Sequence, residues 1–351
     1  MKIVIAVFVI LAGAPLVAQQ APAPCIAATS ACTEWVAVKG GPGRSKIYRT
    51  YSLDTRNVAV RRALVMLHGT SRNADHYFRT AVSAAFLGDA LADTVVIAPH
   101  MIDRTDPKAE NEIVWATSWR TGGPAADNPQ LSSFDFADEM LRKLANKTTF
   151  PNLRAIVFAG HSAGGQFANR YAMSNRVHDT LGVPVSYVVA NPSSYAWPAS
   201  VRPLPQDDAD SVKAKDGWSL TPDTAVHKNF TFGPFDATKA PSYNHWPMGL
   251  ENKTGYVEKM TDAQLKKQLV ERPTTYLLGQ VDTLPLGGFD SSANAMSQGP
   301  TRRSRGEAYF KYVTEQMGAK HAIQVVSECG HNNRCMFTTD AVLPVIFPNT
   351  R

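Results

Sequence analysis

The sequence has few cysteines and histidines, and it has no run of like charges long enough to define a binding surface. Four of its 351 residues are cysteine and nine are histidine. The histidines form no cluster with the spacing of metal ligands, so the sequence predicts no metal and no other cofactor. The net charge of +6 is spread along the chain. It lacks the basic stripe with interleaved aromatic residues that nucleic-acid binding requires, which excludes nucleic acid as a predicted partner.

The sequence also lacks an apolar run long enough to span a bilayer. Its most hydrophobic stretch, residues 3–17, follows Lys2 and precedes Ala18 and a spacer rich in proline and alanine. A membrane-spanning helix needs about 20 apolar residues, whereas a shorter run with these flanks is typical of a signal peptide. We therefore predict a signal peptide at residues 1–18, a secreted or periplasmic protein, and no stable membrane anchor once the signal is removed.

The four cysteines occur as two close pairs, Cys25 with Cys32 and Cys329 with Cys335. An oxidising compartment would join them into disulfides. Four cysteines allow three connectivities, and we favour the two local pairs because their short loops close at little entropic cost. Unpaired, buried thiols are the alternative.

Basic residues cluster only at Arg61-Arg62 and at Arg302-Arg303-Ser304-Arg305. We interpret both clusters as solvated surface. The chain is long enough to bury a substantial core, and α/β folds of this length commonly form one domain. We expect a spacer at residues 19–33, with the disulfide between Cys25 and Cys32, and a folded domain at residues 34–351.

Residues 155–173 contain the pattern on which the functional interpretation depends. An apolar, β-branched run at 155–159 turns abruptly at Gly160-His161-Ser162-Ala163-Gly164 and continues with helical spacing, which predicts a strand, a tight turn and a helix. The turn fits the G-x-S-x-G nucleophile elbow, in which small neighbours allow a serine to adopt a strained, exposed conformation. We expect Ser162 to be a nucleophile and the N–H of Ala163 to bind an oxyanion.

Strand patterns alternate with helical patterns along the rest of the chain. This alternation predicts a doubly wound, mostly parallel sheet of about eight strands, whose functional loops gather at the carboxyl ends of the strands. The predicted strands are residues 34–38, 46–53, 60–67, 95–99, 155–159, 186–190, 274–279 and 322–327, and predicted helices outside the elbow lie at 76–91, 134–146, within 291–317 and at 341–347.

An insertion at residues 191–272 separates the sixth and seventh predicted strands. It loses the strand and helix periodicity and is rich in proline, tryptophan, tyrosine and asparagine. Long segments without regular structure are usually lids or binding loops, so we predict a cap over the active site. We expect Tyr195 and Trp246 of this segment to contact the substrate. Trp115 and Trp119 either line the same cleft or are buried in the core.

The strand at 60–67 ends in His68-Gly69, as does the loop that supplies the second oxyanion donor in proteins with a nucleophile elbow. Gly69 would let the backbone fold back towards the nucleophile. The sequence leaves open whether Thr70 or Ser71 provides the N–H, and an ordinary strand-to-helix turn is the alternative.

Asp282 and His331 each follow the end of a predicted strand, as Ser162 does. A serine hydroxyl needs an imidazole to take its proton, and a carboxylate can fix the tautomer of that imidazole. We therefore expect His331 to be the general base and Asp282 its partner. Asp290 and Asp340 are weaker candidates for the carboxylate because they follow no strand directly. His321 is a weaker candidate for the base because it precedes a strand. The sequence leaves open whether His161 lines the cleft or packs in the core.

The order Ser162, Asp282, His331, together with the elbow and the His68-Gly69 loop, resembles the α/β-hydrolase superfamily over nearly the whole mature chain. The motif Gly-His-Ser-Ala-Gly-Gly and the predicted export resemble its esterases and polyester depolymerases, including feruloyl-esterase-like enzymes. The resemblance implies hydrolysis of a small-molecule or polymeric carboxylic ester through an acyl-enzyme. A serine peptidase of the same fold and a non-catalytic binding protein on this scaffold are the alternatives. Acyl specificity and oligomeric state stay open.

Overall fold

The computed structural model describes residues 22–38, 43–206 and 230–350. The predicted signal peptide lies outside the described residues, and so do the start of the predicted spacer and part of the insertion. Among the helices of the described ranges, none is long and apolar enough to cross a membrane.

Of the twelve strands in the described ranges, eight form one central sheet and the other four form two small antiparallel pairs. The strands are β1 (Thr33–Ala37), β2 (Arg44–Arg49), β3 (Arg62–Leu67), β4 (Thr94–Pro99), β5 (Pro124–Ala125), β6 (Asn128–Ser132), β7 (Ala155–His161), β8 (Val185–Ala190), β9 (Val201–Pro205), β10 (Phe230–Pro234), β11 (Thr274–Gly279) and β12 (Ala322–Val326). The central order is β1-β2-β4-β3-β7-β8-β11-β12. Only β1 with β2 and β2 with β4 are antiparallel in this sheet. The predicted doubly wound, mostly parallel sheet is therefore confirmed.

The helices are α1 (Ala74–Leu87), α2 (Ser133–Ala145), α3 (Ala163–Ser174), α4 (Asp262–Glu271), α5 (Ala293–Met296), α6 (Arg302–Lys311), α7 (Asn333–Thr338) and α8 (Leu343–Ile346). Short 3-10 segments lie at Ser30–Cys32, Thr117–Thr121, His178–Thr180 and Gly255–Val257, and α6 continues into a π turn at Tyr312–Gln316. Helix α1 ends four residues earlier than predicted, because Asp89 adopts a positive φ of 47° that a helix cannot continue through.

Side chains of the central strands alternate between two hydrophobic cores, as the two-residue period of a strand requires. In β7, Ile156 and Phe158 join the core under α2, α3, α4 and α6. Val157 and Ala159 join the core under α1, α7 and α8. The sheet is thus covered on both faces, and the loops that follow its parallel strands come together at one edge.

The insertion between β8 and β11, the sixth and seventh strands of the central sheet, is present, but parts of it are regular. Strands β9 and β10 pair with each other, and α4 packs against α3 with Leu265 and Leu269 buried. The expectation of a segment without regular structure is wrong for these parts. The prolines of β9 and β10 hide the pairing, and α4 has only a narrow apolar stripe with two buried residues, so neither pattern stands out in the sequence. The role of the insertion as a cap stays a prediction.

Candidate active site

The turn between β7 and α3 holds Ser162 in a conformation with φ +59° and ψ −118°. Glycine is required at two positions of this turn, because neighbouring backbone atoms lie too close to leave room for a Cβ. A Cβ on Gly160 would lie 2.1 Å from the carbonyl oxygen of Gly164, and one on Gly164 would lie 2.5 Å from that of Leu67 at the end of β3. Ser162 as a whole residue is only 4% exposed. The loops that follow β3, β11 and β12 pack around it.

Ser162, His331 and Asp282 form a continuous hydrogen-bonded chain. The Oγ of Ser162 lies 2.9 Å from Nε2 of His331, and Nδ1 of His331 lies 2.8 Å from Oδ2 of Asp282. An N–H at Nδ1 donates to the carboxylate, which leaves Nε2 free to accept the serine proton. The structure thus brings together three residues that are far apart in the sequence.

The rivals of these residues lie elsewhere. His321 places its Nδ1 3.0 Å from the hydroxyl of Tyr276. The carboxylate of Asp290 accepts the N–H of Ser292 in its own loop, and Asp340 is exposed. Among the carboxylates of the described residues, only Asp282 hydrogen-bonds the imidazole of His331.

The loop after β3 places its backbone against Ser162. A Cβ on Gly69 would lie 3.5 Å from the Cβ of Ser162. His68 fixes this peptide: its Nε2 accepts the N–H of Met101 at 3.0 Å, so its Nδ1 carries the proton and donates to the carbonyl of Gly69 at 2.9 Å. Burial lowers the pKa of His68 to about 3, which keeps this tautomer neutral.

The carbonyl of Gly69 also accepts the N–H of Arg72 at 3.1 Å. In a trans peptide the carbonyl and the following N–H point in opposite directions. The carbonyl of Gly69 is held by His68 and Arg72. The N–H of Thr70, in the same peptide, therefore points away from both of these residues. The N–H of Ala163 is at the first position of α3, where no intrahelical acceptor exists and the helix dipole favours negative charge.

His161 packs beside the triad and not in an open cleft. It is 3% exposed, its ring centroid lies 4.7 Å from that of His331, and its Nδ1 lies 2.9 Å from the hydroxyl of Tyr77. Burial, followed by the charges of His331 and Arg302, holds the pKa of His161 well below its usual value. The imidazole of His161 is therefore neutral.

The four aromatic residues expected to bind substrate occupy different places. Trp115 is fully buried, stacks on Phe136 and bonds Ser45. Trp119 packs edge-on against His68 with centroids 5.0 Å apart. Tyr195 is fully buried and stacks on Tyr309. Trp246 lines a groove with Gly122, Arg176 and Tyr256. Of the four, only Trp119 contacts a residue of the loops around Ser162 among the ring contacts and hydrogen bonds described.

The basic cluster on α6 is not a solvated surface, which corrects the interpretation of Arg302-Arg303-Ser304-Arg305. Arg302 is 1% exposed and Arg305 is fully buried. Their guanidinium groups bond backbone carbonyls around the carboxyl edge of the sheet. A helix whose arginines bond buried backbone carbonyls has the same charge pattern as a surface helix. The sequence cannot distinguish the two, because it does not show where backbone carbonyls will lie.

Asn191, directly after β8, is a further residue that the sequence did not single out. It is fully buried. Its side chain accepts the N–H of Gly279 at 2.8 Å and donates to the carbonyl of Gly330 at 3.3 Å. Asn191 thereby ties the end of β11 to the loop that carries His331. Its position at a strand end, among polar residues, is the signal that could have identified it.

Disulfides join Cys25 to Cys32 and Cys329 to Cys335, with Cα atoms 5.5 and 5.7 Å apart. The second disulfide closes the loop that contains His331 and the start of α7. In the described ranges, no group of three or more histidine, cysteine, aspartate or glutamate side chains is arranged to hold a metal ion.

A strand–elbow–helix motif with a serine, histidine and aspartate at the carboxyl edge of a mostly parallel sheet defines the class of α/β hydrolases. The sequence profile of the Alpha/beta hydrolase family matches residues 64–343. The chain belongs to this family, and the resemblance inferred from its motifs is confirmed.

Two solved structures share the fold. LpqC, a poly(3-hydroxybutyrate) depolymerase from Bordetella parapertussis, is 20% identical, with a TM-score of 0.55 over 88% of this chain and 90% of that one. Poly(aspartic acid) hydrolase-1 from Sphingomonas sp. KT-1 is also 20% identical, with a TM-score of 0.54 over 90% of this chain and 98% of that one. No curated protein matches the sequence significantly.

Proposed function

We propose that this protein is an exported serine hydrolase that cleaves carboxylic esters through an acyl-enzyme. The observation that carries the proposal is the 2.9 Å approach of Ser162 Oγ to His331 Nε2, with Asp282 2.8 Å behind the imidazole. A nucleophile, a base and an orienting carboxylate within hydrogen-bond reach are the parts that acyl transfer needs.

In the proposed reaction, Ser162 attacks the ester carbonyl while Nε2 of His331 takes the hydroxyl proton. The carboxylate of Asp282 stabilises the imidazolium without taking its proton. Collapse of the tetrahedral intermediate breaks the bond to the alcohol, which leaves with the proton from His331. A water molecule then attacks the acyl-enzyme by the same steps in reverse, so that the acid is released and the serine is regenerated.

The oxyanion of each tetrahedral intermediate would be bound by the N–H groups of Ala163 and Thr70. The fixed carbonyl of Gly69 favours Thr70 over Ser71 as the second donor, because the turn between Gly69 and Arg72 orients the Thr70 amide away from His68. Each such donor is worth about 10²–10³ in turnover.

The substrate is a small-molecule or polymeric ester. The two proteins with the same fold described above are named as a poly(3-hydroxybutyrate) depolymerase and a poly(aspartic acid) hydrolase. The first polymer is a polyester and the second a polyamide, so the two together in a substrate panel separate ester from amide cleavage. Two disulfides favour an oxidising location, in keeping with the signal peptide expected from the sequence. The expected contacts of His161, Trp115, Trp119, Tyr195 and Trp246 with the substrate stay predictions; Trp119 and His161 have the best-supported positions.

The test is covalent labelling of the folded protein with a fluorophosphonate probe, with the site identified by mass spectrometry. We expect labelling at Ser162 and none in Ser162→Ala, whose ester turnover should fall by about 10⁴ or more. Ser174→Ala is the matched control: Ser174 is a buried serine at the end of α3, the helix that follows Ser162, and its hydroxyl donates to the carbonyl of Arg170. Labelling of this variant should equal that of the wild type.

A panel of acyl esters from acetyl to long chains, with aromatic esters, the two polymers and peptide amides, decides the substrate class. Turnover of peptides alone would overturn the ester proposal in favour of a serine peptidase. Folded wild-type protein that is neither labelled nor active on any member would indicate a binding protein on a hydrolase scaffold.

A further inference from the structure

The loop after Asp282 passes directly over His331. Two consecutive glycines in this loop, Gly287 and Gly288, have positive φ angles of 56° and 70°. A Cβ on Gly287 would lie 2.8 Å from Cδ2 of His331, and one on Gly288 would lie 3.2 Å from Oγ1 of Thr70. The backbone of this loop therefore touches both the proposed base and the loop of the proposed oxyanion donor.

Three successive carbonyls of this loop are held by one buried cation and one hydroxyl. The Nη2 of Arg302 donates to the carbonyls of Leu286 at 2.6 Å and Gly287 at 3.0 Å. The hydroxyl of Ser193 donates to the carbonyl of Gly288 at 3.3 Å and accepts from Nε of Arg302 at 2.9 Å. The planar fork of a guanidinium suits this multiple bonding, which a lysine could not reproduce.

The remaining arm of the same guanidinium reaches the triad. The Nη1 of Arg302 donates to Oδ1 of Asp282 at 3.4 Å, and the two side chains are 0% and 1% exposed. Because Oδ2 of Asp282 accepts from His331, the carboxylate is shared between the imidazole and the guanidinium. A buried ion pair of this kind leaves an uncompensated charge when one partner is removed.

We propose that Arg302 is a positioning residue for the active site, which balances the charge of Asp282 and holds the loop at residues 286–288 in its path over His331. The inference rests on the proposed function of the triad and deepens it. Arg302 contacts neither Ser162 nor the imidazole in the described hydrogen bonds, so it would act through Asp282 and through the loop.

The charge of Arg302 sets the expected pH dependence. A cation beside the Asp282–His331 pair disfavours further positive charge on that pair, so removing the cation should move the acidic limb of the rate profile to higher pH. Other titratable or charged groups pack around this pair from neighbouring elements, and all of them stay in place in an Arg302 variant: Tyr77 on α1, His161 at the elbow, Tyr195 after β8, Asp290 in the loop and Arg305 on α6.

Two substitutions separate charge from geometry. In Arg302→Gln, which removes both, we expect kcat/KM for an ester to fall about 10²-fold and the acidic limb of its pH profile to move up by about one pH unit. In Arg302→Lys, which keeps the charge and loses the fork, we expect a loss of kcat with the acidic limb close to its wild-type position.

Arg305→Gln is the matched control. Arg305 lies one turn further on α6, is equally buried and bonds the carbonyls of Gly299, Ser193 and Asp290, but it does not bond Asp282. Its loss should lower thermal stability as Arg302→Gln does and leave the acidic limb unmoved. A shift of the limb in Arg302→Gln alone supports the proposal. Equal pH profiles and equal kcat in the two glutamine variants overturn it.

Ser193→Ala and Arg302→Lys keep the test decisive if Arg302→Gln does not fold. Ser193→Ala removes the hydroxyl between Arg302 and Gly288, and we expect a several-fold loss of kcat with the pH profile retained. Wild-type rates in both of these folded variants overturn the proposal while the proposed function stands. Wild-type protein that neither hydrolyses esters nor reacts at Ser162 overturns the proposed function and this inference together.

Discussion

The imidazole of His161 packs on the imidazole of His331, with ring centroids 4.7 Å apart and planes inclined by 36°. The hydroxyl of Tyr77, from α1, lies 2.9 Å from Nδ1 of His161. The proposed base is thus held between Asp282 at one ring nitrogen, Ser162 at the other, and a neutral ring against its face. Such support limits the rotation of His331, on which transfer of the serine proton depends.

Truncation of His161 tests this support. We expect His161→Ala to lower kcat for an ester by about 10²-fold, because the His331 ring gains freedom to leave the serine. His161→Phe restores a ring of similar shape and should recover most of the rate. Steady-state kinetics of the two variants decide the question, and equal losses in both would indicate that the nitrogen atoms of His161 matter and not its packing.

His68 supports the proposed oxyanion donor by holding the carbonyl of Gly69. We expect His68→Ala to lower kcat by about 10²–10³, the loss typical of one oxyanion donor, because the Thr70 amide loses its fixed orientation. His100→Ala is the control, since its ring lies next to His68 with centroids 6.3 Å apart and does not bond Gly69. Equal turnover in the two variants at equal thermal stability would contradict the role given to His68.

The buried carboxyl of Asp138 should make the stability of the fold depend on pH. It is 3% exposed, and burial raises its pKa from 3.8 to about 6, against the hydrogen bonds from Tyr171 and Tyr256. Below about pH 4 the carboxyl is protonated in both states and its contribution is fully present. Between pH 4 and 6 the unfolded chain releases this proton first, so stability is lost as the pH rises through the folded pKa.

Asp138→Asn isolates this effect, because buried histidines such as His68 shift stability with pH in the opposite direction. We expect the wild type to lose about 2 kcal/mol relative to Asp138→Asn between pH 4 and pH 7. Denaturant unfolding of both proteins at several pH values measures the difference. A difference that stays constant with pH would show that the carboxyl does not titrate in this range.

The disulfide between Cys329 and Cys335 encloses His331 in a closed loop. Replacing both cysteines by alanine should lower kcat and thermal tolerance together, because the loop gains conformational freedom in both the folded and the unfolded chain. The same change at Cys25 and Cys32 should lower stability alone. This disulfide lies next to Thr50, near the edge of the central sheet formed by β1 and β2 and far in strand order from β12. Unchanged kcat in the first variant would separate the disulfide from the positioning of His331.

The sequence was sufficient to identify the eight strands of the central sheet and their order along the chain. Residues 155–173 predict a buried strand, a tight turn and a helix, because the β-branched run, the small turn residues and the helical spacing each determine local backbone geometry. The family follows from this motif and from Asp282 and His331 after later strands. The insertion was located by the loss of periodicity, whereas α4 and the β9–β10 pair within it were missed because their stability comes from packing and mutual pairing.

What the sequence determined by itself is local: the backbone conformation at Ser162, the two-residue alternation of the strands, and the pairing of cysteines close in the chain. What only the tertiary structure decided depends on distances across the chain. The 2.9 Å between Ser162 and His331, the burial of Arg302 beneath three loop carbonyls and the removal of Trp115 into the core all arise where strands far apart in sequence become neighbours. Charge and aromaticity are visible in a sequence, but burial and partners are properties of the packed sheet.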